Sequence, residues 1–296
     1  TGDHVIVSSL EHNAVMRPLV ALAETGVSFS RIPADTAGVT KAEDMLPLIK
    51  ENTKLVVVSH ASNVSGTIFP LTKVAALCRE HHLSLVVDGA QTAGHLDIDF
   101  DSLHLAALCV PGHKGLMGPQ GIGAVLLQKA FAQKLAPLIT GGTGSASDSE
   151  CQPNFLPDKF ESGTLNLPGI YGLNAALKYI SQVGLPKLQH NQKQLLEKFL
   201  ALLQPLPVRI VGPGDSTRQV GVVSLDFPNR DNGMIAFQLE QKYGVLTRCG
   251  LHCAPNAHKT LQTFPQGTVR FSLGNFTTEN DLQAAVAAIK ELCTER

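Results

Sequence analysis

Short apolar runs alternate with amphipathic stretches along the first half of the chain. Apolar residues at helical spacing predict helices at 12–25, 41–51 and 70–82. Runs with the length and composition of buried strands lie at 27–32, 54–59, 83–87, 105–110 and 122–127. Connections long enough to hold a helix join parallel strands. The pattern therefore predicts an α/β fold whose central sheet is mainly parallel and covered on both faces.

A long stretch at 140–168, rich in Gly, Ser, Asp and Pro and without periodicity, predicts a loop. Beyond it, helices are predicted at 169–183, 185–203, 232–243 and 278–294. Strands are predicted at 208–211, 220–226, 245–248 and 268–273. The second half therefore reads as a smaller α/β domain. We expect a large domain over 1–184 and a C-terminal domain over 185–296.

Composition narrows the function classes. The 296 residues carry a net charge of -1, with 44% hydrophobic and 17% charged residues, which predicts a well-packed protein without a basic surface for nucleic acid. No apolar run approaches the roughly 18 residues that span a bilayer. The six cysteines lack the spacing of a disulfide framework, and Cys78, Cys109 and Cys293 have apolar neighbours typical of a core. We expect a cytoplasmic protein.

Polar residues follow three of the predicted strands. Asn63 comes after the strand at 54–59, Asp88 and Gln91 come after 83–87, and His113 and Lys114 come after 105–110. In a parallel sheet these strand ends meet at one edge, where ligands of such folds bind. The sequence therefore predicts a site at this edge.

Lys114 and Asp88 together favour pyridoxal 5'-phosphate (PLP) as the ligand. A lysine near low-dielectric strand ends can lose its proton and attack an aldehyde. PLP needs that amine, and it needs a carboxylate beside its pyridine nitrogen. His113 and Gln91 can supply donors to the phosphate. Taken singly, Asp88 could be a turn residue and Lys114 a solvated loop residue.

These segments resemble a known family. Asp88-Gly89-Ala90-Gln91, Gly112-His113-Lys114 and Gly118-Pro119-Gln120-Gly121 are similar to motifs of the class V aminotransferases, a branch of PLP fold type I. The resemblance implies that His12 stacks on the cofactor ring and that Asn63 lies near the ring hydroxyl. It also implies that Thr164, in Phe160-Glu161-Ser162-Gly163-Thr164, reaches the phosphate of a neighbouring subunit. We therefore expect a homodimer with shared active sites.

The second half resembles one group within this family. Arg248-Cys249-Gly250-Leu251-His252-Cys253-Ala254 is similar to the signature of cysteine desulfurases and selenocysteine lyases. The resemblance implies that Cys253 takes the sulfur (or selenium) from the amino-acid substrate as a persulfide, with Arg270 on the substrate carboxylate. Arg248, or His252 when protonated, would lower the pKa of the thiol. A sulfur-acceptor protein is a possible further partner.

Other interpretations of the same residues stay open. Cys249, His252, Cys253 and His258 could bind zinc, although ligands so close together in sequence would converge poorly. The chain could be an aminotransferase or another PLP lyase that does not use Cys253. Family members have roughly a hundred residues before the segment that matches Thr1, which include a helix with phosphate donors at its N-terminus. The chain could therefore be a fragment, or a degenerate homologue without PLP.

Overall fold

A six-stranded sheet forms the centre of the first half. The computed structural model describes residues 2–294. The strands are β1 (His4–Ser8), β2 (Ser28–Ile32), β3 (Thr53–Ser59), β4 (Ser84–Asp88), β5 (Ala107–Pro111) and β6 (Gly123–Leu127). Their order is β2-β1-β3-β4-β5-β6, and the pairs are parallel except β5 with β6. The predicted mainly parallel sheet is confirmed, but β1, whose five residues are all buried, was missed.

Helices connect the strands and pack on the sheet. They are α1 (Asn13–Ala23), α2 (Leu71–Glu80) and the short α3 (Lys129–Lys134), which was not predicted. One core lies between the sheet and α2, around Val74, Leu85 and Leu105. A second, smaller core lies between β1 and α1, around Val7 and Leu19.

The helix predicted at 41–51 is wrong in type and length. Residues Ala42–Leu48 form a 3-10 helix, and the backbone turns extended at Ile49. Pro47 lies inside this segment, where it has no N–H to donate and its ring would clash with the carbonyl of Glu43 in an α-helix. A 3-10 turn tolerates the proline.

The second half surrounds a four-stranded sheet. Its helices are α4 (Leu167–Val183), α5 (Leu185–Leu203), α6 (Asn232–Tyr243), α7 (Pro255–Thr260) and α8 (Glu279–Thr294). Its strands are β7 (Arg209–Val211), β8 (Val222–Asp226), β9 (Arg248–Gly250) and β10 (Thr268–Ser272). They are ordered β7-β8-β10-β9, with neighbours antiparallel. The core packs around Phe199, Leu239 and Ile289. The division at 184/185 falls between α4 and α5 and stays a prediction.

The strand predicted at 245–248 begins three residues later, as β9. The amide of Val245 donates to the carbonyl oxygen of Leu239 in α6 at 2.9 Å. Val245 therefore belongs to the C-terminal cap of α6 and cannot pair as a strand. The helix α7 was also missed. No helix within residues 2–294 is long and apolar enough to cross a membrane.

Candidate active site

Three strands of the large sheet end side by side and carry polar residues into a common space. Ser59 at the end of β3 pairs with Asp88 at the end of β4, and Asp88 pairs with Cys109 of β5. The turn after β5 carries Lys114. Hydrogen bonds between strands therefore fix the spacing of these ends.

Asp88 and Lys114 line the same cavity, of about 1070 Å³. A second cavity of about 390 Å³ adjoins it and shares part of the wall. The two cavities have these lining residues in common: His12, Asn63, Ala90, Gln91 and Lys114. His113 lines only the larger cavity, whereas Arg248 and Arg270 line only the smaller one. The side chains expected at the strand ends therefore meet in one connected space.

Asp88 combines a structural contact with a place in the wall. Its Oδ1 accepts a hydrogen bond from the amide of Ala90 at 2.8 Å, which is the turn contact that an aspartate at a strand end commonly makes. The side chain is half-buried and lines the larger cavity. The two interpretations of Asp88 are thus compatible, because the turn contact orients the carboxylate and uses only one of its oxygens.

The amine of Lys114 has a lowered pKa. Burial among the cavity walls is the main cause, and the nearby charge of Asp88 opposes it. Arg270 and Arg248 lower the pKa further. The residue as a whole remains exposed to the open cavity, so solvent screens part of these effects. The surroundings favour a neutral amine, the form that can act as a nucleophile.

His12 is the N-terminal cap of α1. Its Nδ1 accepts a hydrogen bond from the amide of Ala14 at 3.0 Å, which leaves the proton of the neutral ring on Nε2. Burial lowers the pKa of His12, and Lys114 lowers it further. The cap thus fixes a neutral imidazole in the wall that Lys114 also lines.

Asn63 joins the large sheet to the loop of the second half. Its Nδ2 donates to the carbonyl oxygen of His252 at 2.6 Å, and its own carbonyl oxygen accepts a bond from Nη1 of Arg270 at 3.1 Å. Both contacts are between residues about two hundred positions apart in sequence. Asn63 therefore holds the strand end of β3 against β10 and the loop that carries Cys253.

Arg248 and Arg270 form a cationic pair on the small sheet. They are register partners in the antiparallel strands β9 and β10, so their side chains leave the sheet on the same face. Neither has a carboxylate partner within 4.0 Å among residues 2–294. Burial lowers the pKa of Arg270, Arg248 lowers it further, and its Nε is buried without a partner. The two neighbouring positive charges can therefore bind an anion.

Cys253 stands exposed beside this pair. Its Sγ is 3.9 Å from Nη2 of Arg248, and its carbonyl oxygen accepts a bond from the amide of Asn13 at 2.7 Å. The backbone of Cys253 has a positive φ of 58°, which is uncommon for a residue with a side chain. Cys253 lines neither cavity, so the thiol stands outside the space that contains Lys114.

Of the two cations considered beside Cys253, the structure disfavours a protonated His252. The residue is 4% exposed, and burial, followed by the charge of Arg270, lowers its pKa to about 3. Its Nε2 lies 3.0 Å from the hydroxyl of Thr268. The ring is therefore neutral near pH 7, and Arg248 is the cation beside the thiol. Within residues 2–294, no three His, Cys, Asp or Glu side chains converge as a metal site would require.

Thr164 lies apart from the other predicted site residues. It is exposed in the loop before α4 and lines neither cavity of its own chain. This position leaves untested the expectation that Thr164 reaches a neighbouring subunit.

Three residues near the site were not found from the sequence. Glu11 is fully buried and accepts bonds from Ser8 and Ser59. His95 and Gln192 meet at the wall of the smaller cavity. Glu11 precedes His12 in a segment already singled out, but nothing in the local pattern marks His95 or Gln192, because their contact depends on how the two sheets pack.

Comparisons with known proteins identify the family of this chain. The profile of the family "Aminotransferase class-V" matches residues 1–285. A probable cysteine desulfurase of Methanothermobacter thermautotrophicus is 31% identical over 98% of this chain and 73% of its own length. One of Pyrococcus abyssi is 32% identical over 98% and 72%. The apo structure of a cysteine desulfurase from Thermococcus onnurineus has a TM-score of 0.91 and 31% identity, covering 98% of this chain and 72% of its own. The chain belongs to the class V aminotransferase family, in the group that resembles cysteine desulfurases.

Proposed function

We propose that this chain is a PLP-dependent cysteine desulfurase, which takes sulfur from L-cysteine (or selenium from selenocysteine) and leaves alanine. The observation that supports it best is the meeting of Asp88 and Lys114 in one cavity, with Arg248 and Arg270 on the facing sheet and Cys253 in the loop after β9. The class V family is PLP-dependent in general.

The residues around the larger cavity fit the cofactor. Lys114 offers an amine whose pKa is lowered, and Asp88 offers a carboxylate oxygen free of the turn contact. His12 offers a ring held by its capping bond, and His113 and Gln91 offer donors for a phosphate. When bound, PLP supplies an electron sink for the substrate's α-carbon. Asp88 would hold the protonated pyridine nitrogen, and Nζ of Lys114 would bind the aldehyde and later carry the substrate proton.

The arginines of the facing sheet would hold the substrate, and Cys253 in the loop after β9 would attack it. Arg270 binds the carboxylate through its planar fork, with Arg248 adding positive charge. The thiolate of Cys253, whose sulfur lies 3.9 Å from Nη2 of Arg248, attacks the substrate sulfur. A bond forms between Sγ and that sulfur while the substrate's Cβ–S bond breaks, and the bonding electrons stay with the carbon that becomes the methyl group of alanine. Cysteine and the Cys253 thiol are thereby converted to alanine and a Cys253 persulfide, which a thiol or an acceptor protein then discharges.

A homodimer is part of this proposal. Large apolar side chains are exposed on α4 and the loop before it: Leu138, Ile139, Phe155, Leu165, Leu167, Ile170 and Tyr171. Such a surface typically marks an interface. A second copy of the chain would cover it and bring Thr164 toward the neighbouring phosphate.

Two substitutions test the chemistry. With PLP and cysteine supplied, Cys253→Ser should reduce sulfide and alanine formation at least roughly 100-fold, because the hydroxyl is a far weaker nucleophile. The visible absorbance of bound cofactor should persist. Lys114→Ala should instead abolish the absorbance of the Schiff base between PLP and the protein when no amine is added.

Cys249→Ser is the matched control, since Cys249 is also exposed and lies four residues before Cys253. It should keep full turnover. Sulfide release that persists in Cys253→Ser would show that Cys253 is not the nucleophile. Wild-type protein that stays colourless with PLP would contradict the proposal as a whole.

A further inference from the structure

His95 and Gln192 form a contact between the two halves of the molecule. Gln192 is on α5 and is 7% exposed, whereas His95 lies in the turns that follow β4. The Nε2 of Gln192 is 3.1 Å from Nδ1 of His95 and 2.9 Å from the carbonyl oxygen of Leu273. Leu273 directly follows β10, three residues after Arg270. The side-chain amide of Gln192 therefore contacts both the turns after β4 and the end of β10, which lie on opposite sides of the smaller cavity.

The two contacts fix which atoms of Gln192 face which partners. The carbonyl of Leu273 can only accept a hydrogen bond, so the atom beside it must be the NH₂ nitrogen. The same nitrogen then donates its other hydrogen to Nδ1 of His95. Nδ1 is therefore an acceptor, and the single proton of the neutral imidazole is on Nε2.

The ring of His95 packs directly on the loop of Lys114. A β-carbon placed on Gly115 would lie 2.6 Å from both Nε2 and Cδ2 of His95, and it would overlap the carbonyl oxygen of Ala93. The backbone beside the cofactor lysine is therefore pressed against the imidazole edge. A rotation or shift of His95 would move Gly115, and with it the backbone of Lys114.

The charged surroundings favour the neutral ring. The titratable or charged side chains that share a cavity wall with His95 are His12, Lys114, Arg248, His252 and Arg270 on the substrate side and Lys193 on the outer side. The two arginines and Lys193 carry positive charge, and burial already lowers the pKa of His95. A second proton on the ring would lie on Nδ1 and would face the NH₂ group of Gln192, so two donors would oppose each other.

We infer that Gln192 is a positioning residue that fixes His95 with its proton on Nε2. Through that ring, Gln192 holds the Lys114 loop at a fixed position relative to β10, which carries Arg270. This inference rests on the proposed function for its effect on turnover. The geometry of the pair stands independently of it.

Two variants separate positioning from simple stability. Gln192→Leu removes both hydrogen bonds, and kcat for cysteine should fall roughly 10- to 100-fold, the size expected when a reacting group is misplaced by about an ångström. Gln192→Glu keeps the shape but puts a carboxylate beside Nδ1, which should raise the pKa of His95 and add an ionisation to the pH profile of kcat. Gln194→Leu, an exposed position on the same helix, is the matched control and should change neither quantity.

Nitrogen NMR of histidine-labelled protein provides a readout that does not need turnover. Wild-type His95 should show the Nε2–H tautomer near neutral pH, and the ring should take up its second proton at a higher pH in Gln192→Glu than in the wild type. An Nδ1–H tautomer in the wild type, or unchanged kcat in a folded Gln192→Leu protein, would overturn the inference. Should the wild type convert no cysteine, the proposed function fails, while the tautomer and its response to Gln192→Glu still decide the pairing.

Discussion

Burial sets the protonation state of single residues around the cavity. His252 and His12 are held neutral by desolvation, and Lys114 is shifted in the same direction. Glu11 is the carboxyl counterpart, since burial raises its pKa to about 7 although Ser8 and Ser59 donate hydrogen bonds to it. Burial therefore shifts each of these side chains toward its neutral form.

Glu11 should make stability depend on pH. Its pKa is raised on folding from 4.5 to about 7, so the folded state binds the proton more tightly than the unfolded chain does. The free energy of unfolding should therefore fall as pH rises from 4.5 to 7, by at most about 3 kcal/mol from this group. Urea titrations of wild type and Glu11→Gln across this range measure the difference.

The glutamine variant has no proton to lose, so the gap between the two proteins isolates the carboxyl. Wild type should lose stability relative to Glu11→Gln as pH increases. A gap that is constant with pH would show that Glu11 ionises at its ordinary pKa.

Residues at strand ends could be predicted, and residues defined by packing could not. Asp88 and Lys114 follow apolar strands, and the rule for parallel sheets predicts that they lie at one edge. Gln192 is on a helix whose local pattern is ordinary. Its importance comes from Leu273 and His95, which lie 81 and 97 residues away in sequence. The sequence also left open whether His252 or Arg248 is the cation beside Cys253, because the burial of His252 depends on the small sheet.

Among the secondary-structure elements, two turns make direct backbone contact beside the site. The turn after β4 and the turn after β5 touch at Gly94 and Gly115, where neither position has room for a β-carbon. The apolar strands made these turns predictable, but the close approach between them was not. Hydrophobic periodicity likewise does not decide the 3-10 helix at Ala42–Leu48, which follows from Pro47, or the late start of β9, which follows from the bond between Val245 and Leu239.

Gly115→Ala should destabilise the protein and impair the site. The added methyl group would overlap Ala93 and press on His95, and overpacking of this kind costs about 1–3 kcal/mol. Turnover should fall as well, because Gly115 adjoins Lys114. Chemical denaturation and a cysteine assay measure the two effects.

Gly142→Ala is the comparison, because a β-carbon there would meet no atom within 4 Å. Its effect on unfolding should stay within about 0.5 kcal/mol. Equal effects of the two substitutions would mean that the contact between the turns is not tight.

The whole molecule exposes apolar surface where the proposed second copy would bind. Tyr171 on α4 is 72% exposed, and a charge at this position should be buried on association. Tyr171→Glu should weaken dimerisation by at least roughly 30-fold, equivalent to about 2 kcal/mol. Light scattering coupled to size-exclusion chromatography measures the mass as concentration falls.

Met234→Glu serves as the control, since Met234 on α6 is 55% exposed and lies on another element. It should leave the mass unchanged. Wild-type protein that is monomeric at all concentrations would contradict the proposed dimer, and it would leave Thr164 without a neighbouring phosphate to reach.

The amine of Lys114 and the guanidinium pair stand on different sheets. A molecule that contacts both must span the space between them, so the distance between the sheets determines the length of ligand that fits. Asn63 and Gln192 fix this distance, because each joins one half of the molecule to the other through hydrogen bonds. Selectivity between amino acids of different size would then be inherited from these two cross-links, even though neither group takes part in bond breaking.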